Sequence, residues 1–175
     1  MKPNKIEKII CFTLVKLVCN FKPRWATNIQ FKFFKKWGMK FNGKPNYISS
    51  KIWFDGTDYS LIEIGDQVTM SSYIRVLTHD WALHTVGKAF QIPQTKPIGL
   101  IKGVKIGDFT FVGTGTILMP GCEIGKGCII AAGTVVRGKV PDFSIYAGSP
   151  GEIIGDSKKY LIKKLDQLNI EHNII

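Results

Sequence analysis

The sequence predicts an all-β solenoid of stacked triangular coils, with a helical appendage before it and a short helix after it. Three observations predict this. Aliphatic residues recur every six positions at Ile106, Val112, Leu118, Ile124, Ile130 and Val136. Four residues after each comes a small or β-branched one: Thr110, Thr116, Cys122, Cys128, Thr134 and Val140. Glycine follows the aliphatic at Gly107, Gly113 and Gly125, and an earlier block keeps the same order in Ile64-Gly65 with Val68, Met70 with Ile74, and Val76. A six-residue unit with one long and one small inward side chain makes one flat face, and glycine permits the bend at its end. Three faces close a turn, and stacked turns bury a continuous core. About five coils are expected over residues 46–155.

The elements follow in chain order. In residues 4–19, Ile6, Ile9, Ile10, Thr13, Leu14 and Leu17 recur at helical spacing, with Asn4 as cap and Asn20 and Pro23 marking the end. A second short helix is expected from Ala26 to Trp37, where Phe31, Phe33 and Phe34 sit among Lys32, Lys35 and Lys36. Residues 1–45 then form a basic helical appendage, read as a hairpin packed on the solenoid. The sharper alternative is a surface that rests on an anionic membrane. Between Thr78 and Gly99 the repeat is lost, and an extended loop is expected over 79–98, punctuated by Pro93 and Pro97. Long loops on compact scaffolds are commonly functional. Residues 156–175 hold Tyr160, Leu161, Leu165 and Leu168 at helical spacing, a C-terminal helix and tail positioned to cover the last open edge.

Charge is unevenly distributed. The net charge is +11, but residues 1–45 hold eleven Lys and Arg against one acid, Glu7, so the rest is nearly neutral. Without a recognisable motif, the basic appendage does not point to nucleic acid. Four cysteines, none in a CxxC pair, read as reduced cytosolic thiols, with Cys122 and Cys128 filling inward slots. The apolar stretch from Ile9 stops at Lys16, well short of the roughly 20 residues of a membrane span. No small-residue cleavage site follows it, so no secretory signal is expected.

The segments IEIGDQVTMSSYIRVLTHD (62–80) and VKIGDFTFVGTGTILMPGCEIGKGCIIAAGTVVRGKVPDFSIYAGSPGEIIG (104–155) resemble the hexapeptide-repeat acyltransferases. The likeness is to the maltose, galactoside and xenobiotic acetyltransferase group and to polysaccharide O-acetyltransferases, and it covers about residues 46–155. It implies a left-handed parallel β-helix, an exception to the usual right-handed crossover. It also implies acetyl-CoA as co-substrate, no metal, and a homotrimer with sites between subunits.

Transfer from a thioester to a hydroxyl needs a base, and histidine titrates in the useful range. Of His79, His84 and His172, the resemblance points to His79, where solenoid gives way to loop in LTHDW; His172 lies in the tail. Asp80 is a candidate to orient an imidazole. Trp81 is a candidate to stack on a sugar, and His84 is the rival base or an acceptor contact. For the donor, small residues at coil edges leave room for a pantetheine arm: Gly113 and Thr114 on one edge, Ala132 and Gly133 on the next. The family's usual lysine after AAGTVV is replaced by Gly138, flanked by Arg137 and Lys139, which become the candidates for the CoA phosphates. No Ser or Cys is placed as an acyl carrier, so direct transfer is expected.

The expected activity is acetylation of a sugar or cell-envelope polysaccharide hydroxyl in the cytoplasm, with peripheral contact at the inner membrane face as the sharper reading. An amino-sugar N-acetyltransferase and a xenobiotic O-acetyltransferase stay open. From other classes, His79 and His84 match the spacing of two ligands in the γ-type carbonic anhydrases, with His172 as third, and a non-catalytic scaffold is the remaining alternative.

Overall fold

The computed structural model describes residues 3–56, 58–93 and 95–174; Lys2 of the basic appendage lies outside them. Short parallel strands stack into three sheets. The first coil holds β1 (Lys40–Asn42), β2 (Tyr47–Ile48) and β3 (Trp53–Phe54); the second β4 (Ile62–Gly65), β5 (Thr69–Met70) and β6 (Arg75–Val76). An excursion follows: β7 (His79–Asp80), α3 (Ala82–Ala89) and β8 (Leu100–Ile101). The third coil resumes with β9 (Val104–Ile106), β10 (Phe111–Val112) and β11 (Ile117–Leu118). The fourth is β12 (Glu123–Ile124), β13 (Ile129–Ile130) and β14 (Val135–Val136), and the last is β15 (Lys139–Val140) with β16 (Ser144–Gly148). One sheet runs β1-β4-β9-β12-β15, a second β2-β5-β10-β13-β16, and a third β3-β6-β11-β14. The solenoid therefore opens at Lys40, ahead of the first residues whose texture announces it.

The register is that of the six-residue rule taken three at a time: Val112 pairs with Ile130 and Leu118 with Val136, eighteen positions on. The six aliphatics from Ile106 to Val136 are all buried. The small inward residues do more than leave room. Thr110 donates its hydroxyl to the Gly125 carbonyl at 2.8 Å and accepts from the Cys128 N–H at 3.2 Å, while Thr116 donates to the Gly113 carbonyl at 2.8 Å. These bonds satisfy backbone groups that a corner would leave unpaired inside the core. Cys122 and Cys128 occupy equivalent slots; burial pushes the Cys122 thiol up to about 12 and raises that of Cys128, so neither supplies a nucleophilic thiolate.

Three aspartates tie one corner from coil to coil. Asp66 Oδ1 accepts from the Lys44 N–H, Asp108 Oδ1 from the Asp66 N–H and Asp142 Oδ1 from the Lys126 N–H, at 2.8–2.9 Å. On the outer surface of the first sheet, Lys40, Glu63, Lys105, Glu123 and Lys139 stand side by side in register, a ladder of alternating charge. Glu63 and Lys105 are 3.2 Å apart, Glu123 and Lys139 3.3 Å. An Asn42 hydrogen bond, then Lys105, hold the Glu63 carboxyl below its usual range.

The appendage is a helical hairpin. In α1 (Lys5–Val18) Asn4 caps the start, accepting from the Glu7 N–H at 2.8 Å. The first helix ends before Asn20 and Pro23, and Pro23 also opens α2 (Pro23–Lys36), three residues ahead of the expected start at Ala26, where its missing N–H costs nothing. Helix α2 covers the first coil: Thr27 Oγ1 accepts from the Ile48 N–H at 3.1 Å, and Gln30 donates to the Ser49 carbonyl at 3.3 Å. Phe34 and Trp37 pack with Tyr59 beneath it. Helix α1 packs mainly on α2 and buries Cys11 and Val15. The stripe that defined it in the sequence therefore faces the other way, and Ile6, Ile9, Ile10, Leu14 and Leu17 are exposed.

At the other end, the edge of the second sheet is covered by β17 (Gly151–Asp156), which pairs antiparallel with β16. This corrects the expectation for the C-terminal helix. Helix α4 (Ser157–Gln167) starts on an Asp156 cap and is anchored by the Ser157 hydroxyl on the Gly127 carbonyl, but leaves Tyr160 and Leu161 exposed.

Candidate active site

The third sheet delivers the site. Strands β3 and β6 pair Trp53 with Arg75 and Phe54 with Val76, so Asp55 comes alongside Leu77 and Thr78 where the excursion leaves. The chain leaves through β7, which pairs antiparallel with β8, His79 opposite Ile101. The Lys102 N–H bonds the Thr78 carbonyl at 3.0 Å and closes the neck. His79 is thus the first residue outside a rigid stack, held from both sides.

Its orientation is set by Asp55. His79 Nδ1 lies 3.0 Å from Asp55 Oδ2, and the Asp55 side chain is 4% exposed against 34% for the imidazole. The same carboxylate accepts the Thr78 N–H and the Thr78 hydroxyl, both at 2.8 Å, and the His79 N–H at 3.3 Å. A carboxylate is an acceptor only, so a neutral His79 must put its proton on Nδ1. That leaves the Nε2 lone pair free to accept a proton from outside. A histidine oriented by a buried carboxylate is the arrangement of a general base.

Asp80, the sequence candidate for that orienting role, does something else: its Oδ1 accepts the Ala82 N–H at 2.7 Å and starts α3. Trp81 lies beside the imidazole, ring centroids 5.9 Å apart, and keeps 44% of its surface exposed. A side chain at Gly99 would lie 2.3 Å from the indole, so the returning limb of the excursion is pressed against Trp81. The loop anchor and the exposed aromatic surface are the same residue. His84 is half-buried on α3. His172 lies in the tail, 3.0 Å from Asp166. Among the described residues no three His, Cys, Asp or Glu side chains are grouped to hold a metal.

The candidate donor residues occupy a different corner, between the second and third sheets. Thr114, Ala132 and Gly133 are exposed there, and a side chain at Gly133 (φ +71°) would meet nothing within 4 Å. The wall is open, as a slender ligand arm requires. Gly113 belongs to the stack instead: it is buried, and a Cβ there would lie 2.5 Å from the Ala132 nitrogen. Arg137 is exposed at the corner that His79 leaves, two coils further on. Lys139 is engaged in the charge ladder. Within one chain, His79 and the Thr114–Ala132–Gly133 wall are therefore separated by the width of the third sheet.

Compared with known proteins, residues 103–138 match the family described as bacterial transferase hexapeptide (six repeats). The chain is 35% identical over 100 residues to the Mycobacterium tuberculosis protein named "Probable acetyltransferase Rv3034c", covering 55% of this chain and 31% of that protein. It thus spans about a third of that relative's length. Among solved structures, a maltose O-acetyltransferase from Clostridium difficile is similar at a TM-score of 0.55 and 19% identity, covering 87% of this chain and 89% of that one. A hexapeptide-repeat acetyltransferase from Vibrio cholerae, complexed with acetyl-CoA, is similar at 0.55 and 17% identity, covering 83% and 85%. These likenesses show the fold.

Proposed function

We propose that this chain, which bears the hexapeptide repeat of bacterial transferases, moves an acetyl group from acetyl-CoA to a hydroxyl of a sugar or cell-envelope polysaccharide. The observation that carries the reading is the His79–Asp55 pair at the neck of the excursion, with Nε2 turned to accept. The coil is left-handed in this reading. The hydroxyl proton passes to Nε2 as the oxygen attacks the thioester carbonyl, and the departing CoA sulfur takes the proton back from the imidazolium. Asp55 holds the ring and offsets its transient positive charge, as the third member of a triad does. The exposed indole of Trp81 offers an apolar face to a sugar ring.

The donor lies along Thr114, Ala132 and Gly133, with Arg137 toward the phosphates. Because Thr114, Ala132 and Gly133 lie at the opposite end of one face from His79 and Arg137, a second subunit brings the donor wall and the base together, and the working unit is a homotrimer. Light scattering at micromolar concentration is expected to give three times the chain mass; a stable monomer would remove this part of the proposal.

The transfer itself is tested by incubating the protein with acetyl-CoA and a panel of sugars, nucleotide sugars and glycan fragments, with mass spectrometry reading the gain of one acetyl. Ala132→Trp places an indole on an exposed corner and is expected to weaken CoA binding more than tenfold by calorimetry while the melting temperature holds, since about 1.4 kcal/mol of lost contact suffices for each factor of ten. Unchanged CoA affinity in this variant would take Ala132 out of the site.

A further inference from the structure

Helix α1 has apolar residues on two sides and only one is used. Cys11 and Val15 are buried toward α2, whereas Ile6, Ile9, Ile10, Leu14 and Leu17 stand in solvent, Ile6 and Leu17 at 68% and 66% exposure. The stripe runs the length of the helix, and past its end two more large apolar side chains are exposed, Phe21 at 86% and Trp25 at 60%. Leaving seven large apolar side chains of one hairpin in water is costly unless something covers them.

The surrounding charge says what covers them. Lys5, Lys16, Lys22, Arg24, Lys32, Lys35 and Lys36 are exposed on the hairpin, and Lys22 Nζ sits 4.4 Å from the centre of the Trp25 ring. The single acid of the hairpin, Glu7, is already paired with Lys36, and that ion pair holds its carboxyl below the usual range. Lys5 and Lys16 fall on the helix beside Ile9, so one border of the stripe is cationic. A second copy of this chain would meet the stripe with the same cations, and a nucleic acid has no use for a row of isoleucines and leucines. An anionic lipid surface matches both properties: acyl chains receive the apolar side chains, lipid phosphates receive the lysines, and Trp and Phe prefer the boundary between them. No helix of the described residues is long and apolar enough to cross a membrane, and α1, with an exposed apolar stripe bordered by lysines, has the pattern of a helix that lies flat on one.

We propose that the outward face of α1, together with Phe21 and Trp25, is a docking surface for an anionic lipid bilayer, with α1 lying in the headgroup plane and α2 joining it to the first coil. The inference rests on the hairpin alone and holds whether or not the chain transfers acetyl groups.

The test is flotation of the full chain with phosphatidylcholine vesicles and with vesicles that also contain phosphatidylglycerol, at low and high salt. Binding is expected only to the mixed vesicles and is expected to weaken as salt screens the lysines. The double variant Ile9→Asp, Leu17→Asp is expected to lose at least about tenfold in binding. Both positions are solvent-exposed, and unchanged helical circular dichroism verifies the fold. Should it misfold, Ile10→Ala with Leu14→Ala keeps helix propensity and is expected to weaken binding in the same direction. A second pair, Lys5→Gln with Lys16→Gln, is expected to flatten the salt dependence. Three results would overturn the proposal: no binding to mixed vesicles at low salt; binding untouched by both apolar variants; or an apolar variant that lowers the mass in light scattering, which would make the stripe a contact between copies.

Discussion

With His79 replaced by Ala, the rate of acetyl transfer is expected to fall by about 10²–10⁴-fold, the usual contribution of a positioned general base. The coil should stay intact, because the imidazole lies outside the stack and the backbone N–H of residue 79, which also bonds Asp55, is retained. The affinity for CoA should be unchanged, since the open wall at Ala132 and Gly133 is on another corner. His84→Ala, on the adjoining helix, is expected to cost far less. Steady-state rates for the two variants check the assignment: an active His79→Ala and a dead His84→Ala would reverse it.

Asp55→Asn should be nearly as damaging. The amide has the carboxylate's size but no charge to offset the imidazolium, and in the Ser-His-Asp triad the same change costs about 10⁴-fold. Here the expectation is a loss of at least about tenfold in kcat, with KM for acetyl-CoA held. A purely structural aspartate would give a different pattern, because its removal would strand the Thr78 N–H and hydroxyl and show as lost stability of about 1–3 kcal/mol per group. The decisive measurement is the double variant. Residues acting as a unit are strongly non-additive, so Asp55→Asn should cost little more once His79 is Ala. Additive losses would place Asp55 outside the proton path.

Asp55 also shows where sequence reasoning stopped. The coils from Ile64 onward are legible because their inward residues repeat at six, and the excursion is legible as the place where that repeat fails. The first coil is not: Trp53, Phe54 and Ile48 obey the register, but no glycine follows an aliphatic there, and its core is completed by Phe34, Trp37 and Tyr59, from a helix and a turn. Without that register, Asp55 is one loop acid among several, and Asp80, adjacent in sequence to His79, is the nearer guess. Had Phe54 been aligned with Val76, Asp55 would have fallen beside Thr78. The outward direction of α1 was hidden for a related reason. Its sequence carries two apolar stripes, and periodicity finds a face without saying what meets it. Lys139 reads as a free cation until the in-register Glu123 is seen as its neighbour in one ladder.

The excursion after Thr78 interrupts the chain but not the stack. Ile64 pairs with Ile106, forty-two positions along, whereas an uninterrupted coil advances eighteen, as from Ile106 to Ile124. The surplus of twenty-four residues begins at His79 and is closed off by the Lys102–Thr78 hydrogen bond. It behaves as a cassette plugged into a standard frame: its length and contents can change while the frame, and Asp55 beside its neck, keep their places. A different surface can then be presented beside the neck by rewriting a stretch on which no rung of the coil depends.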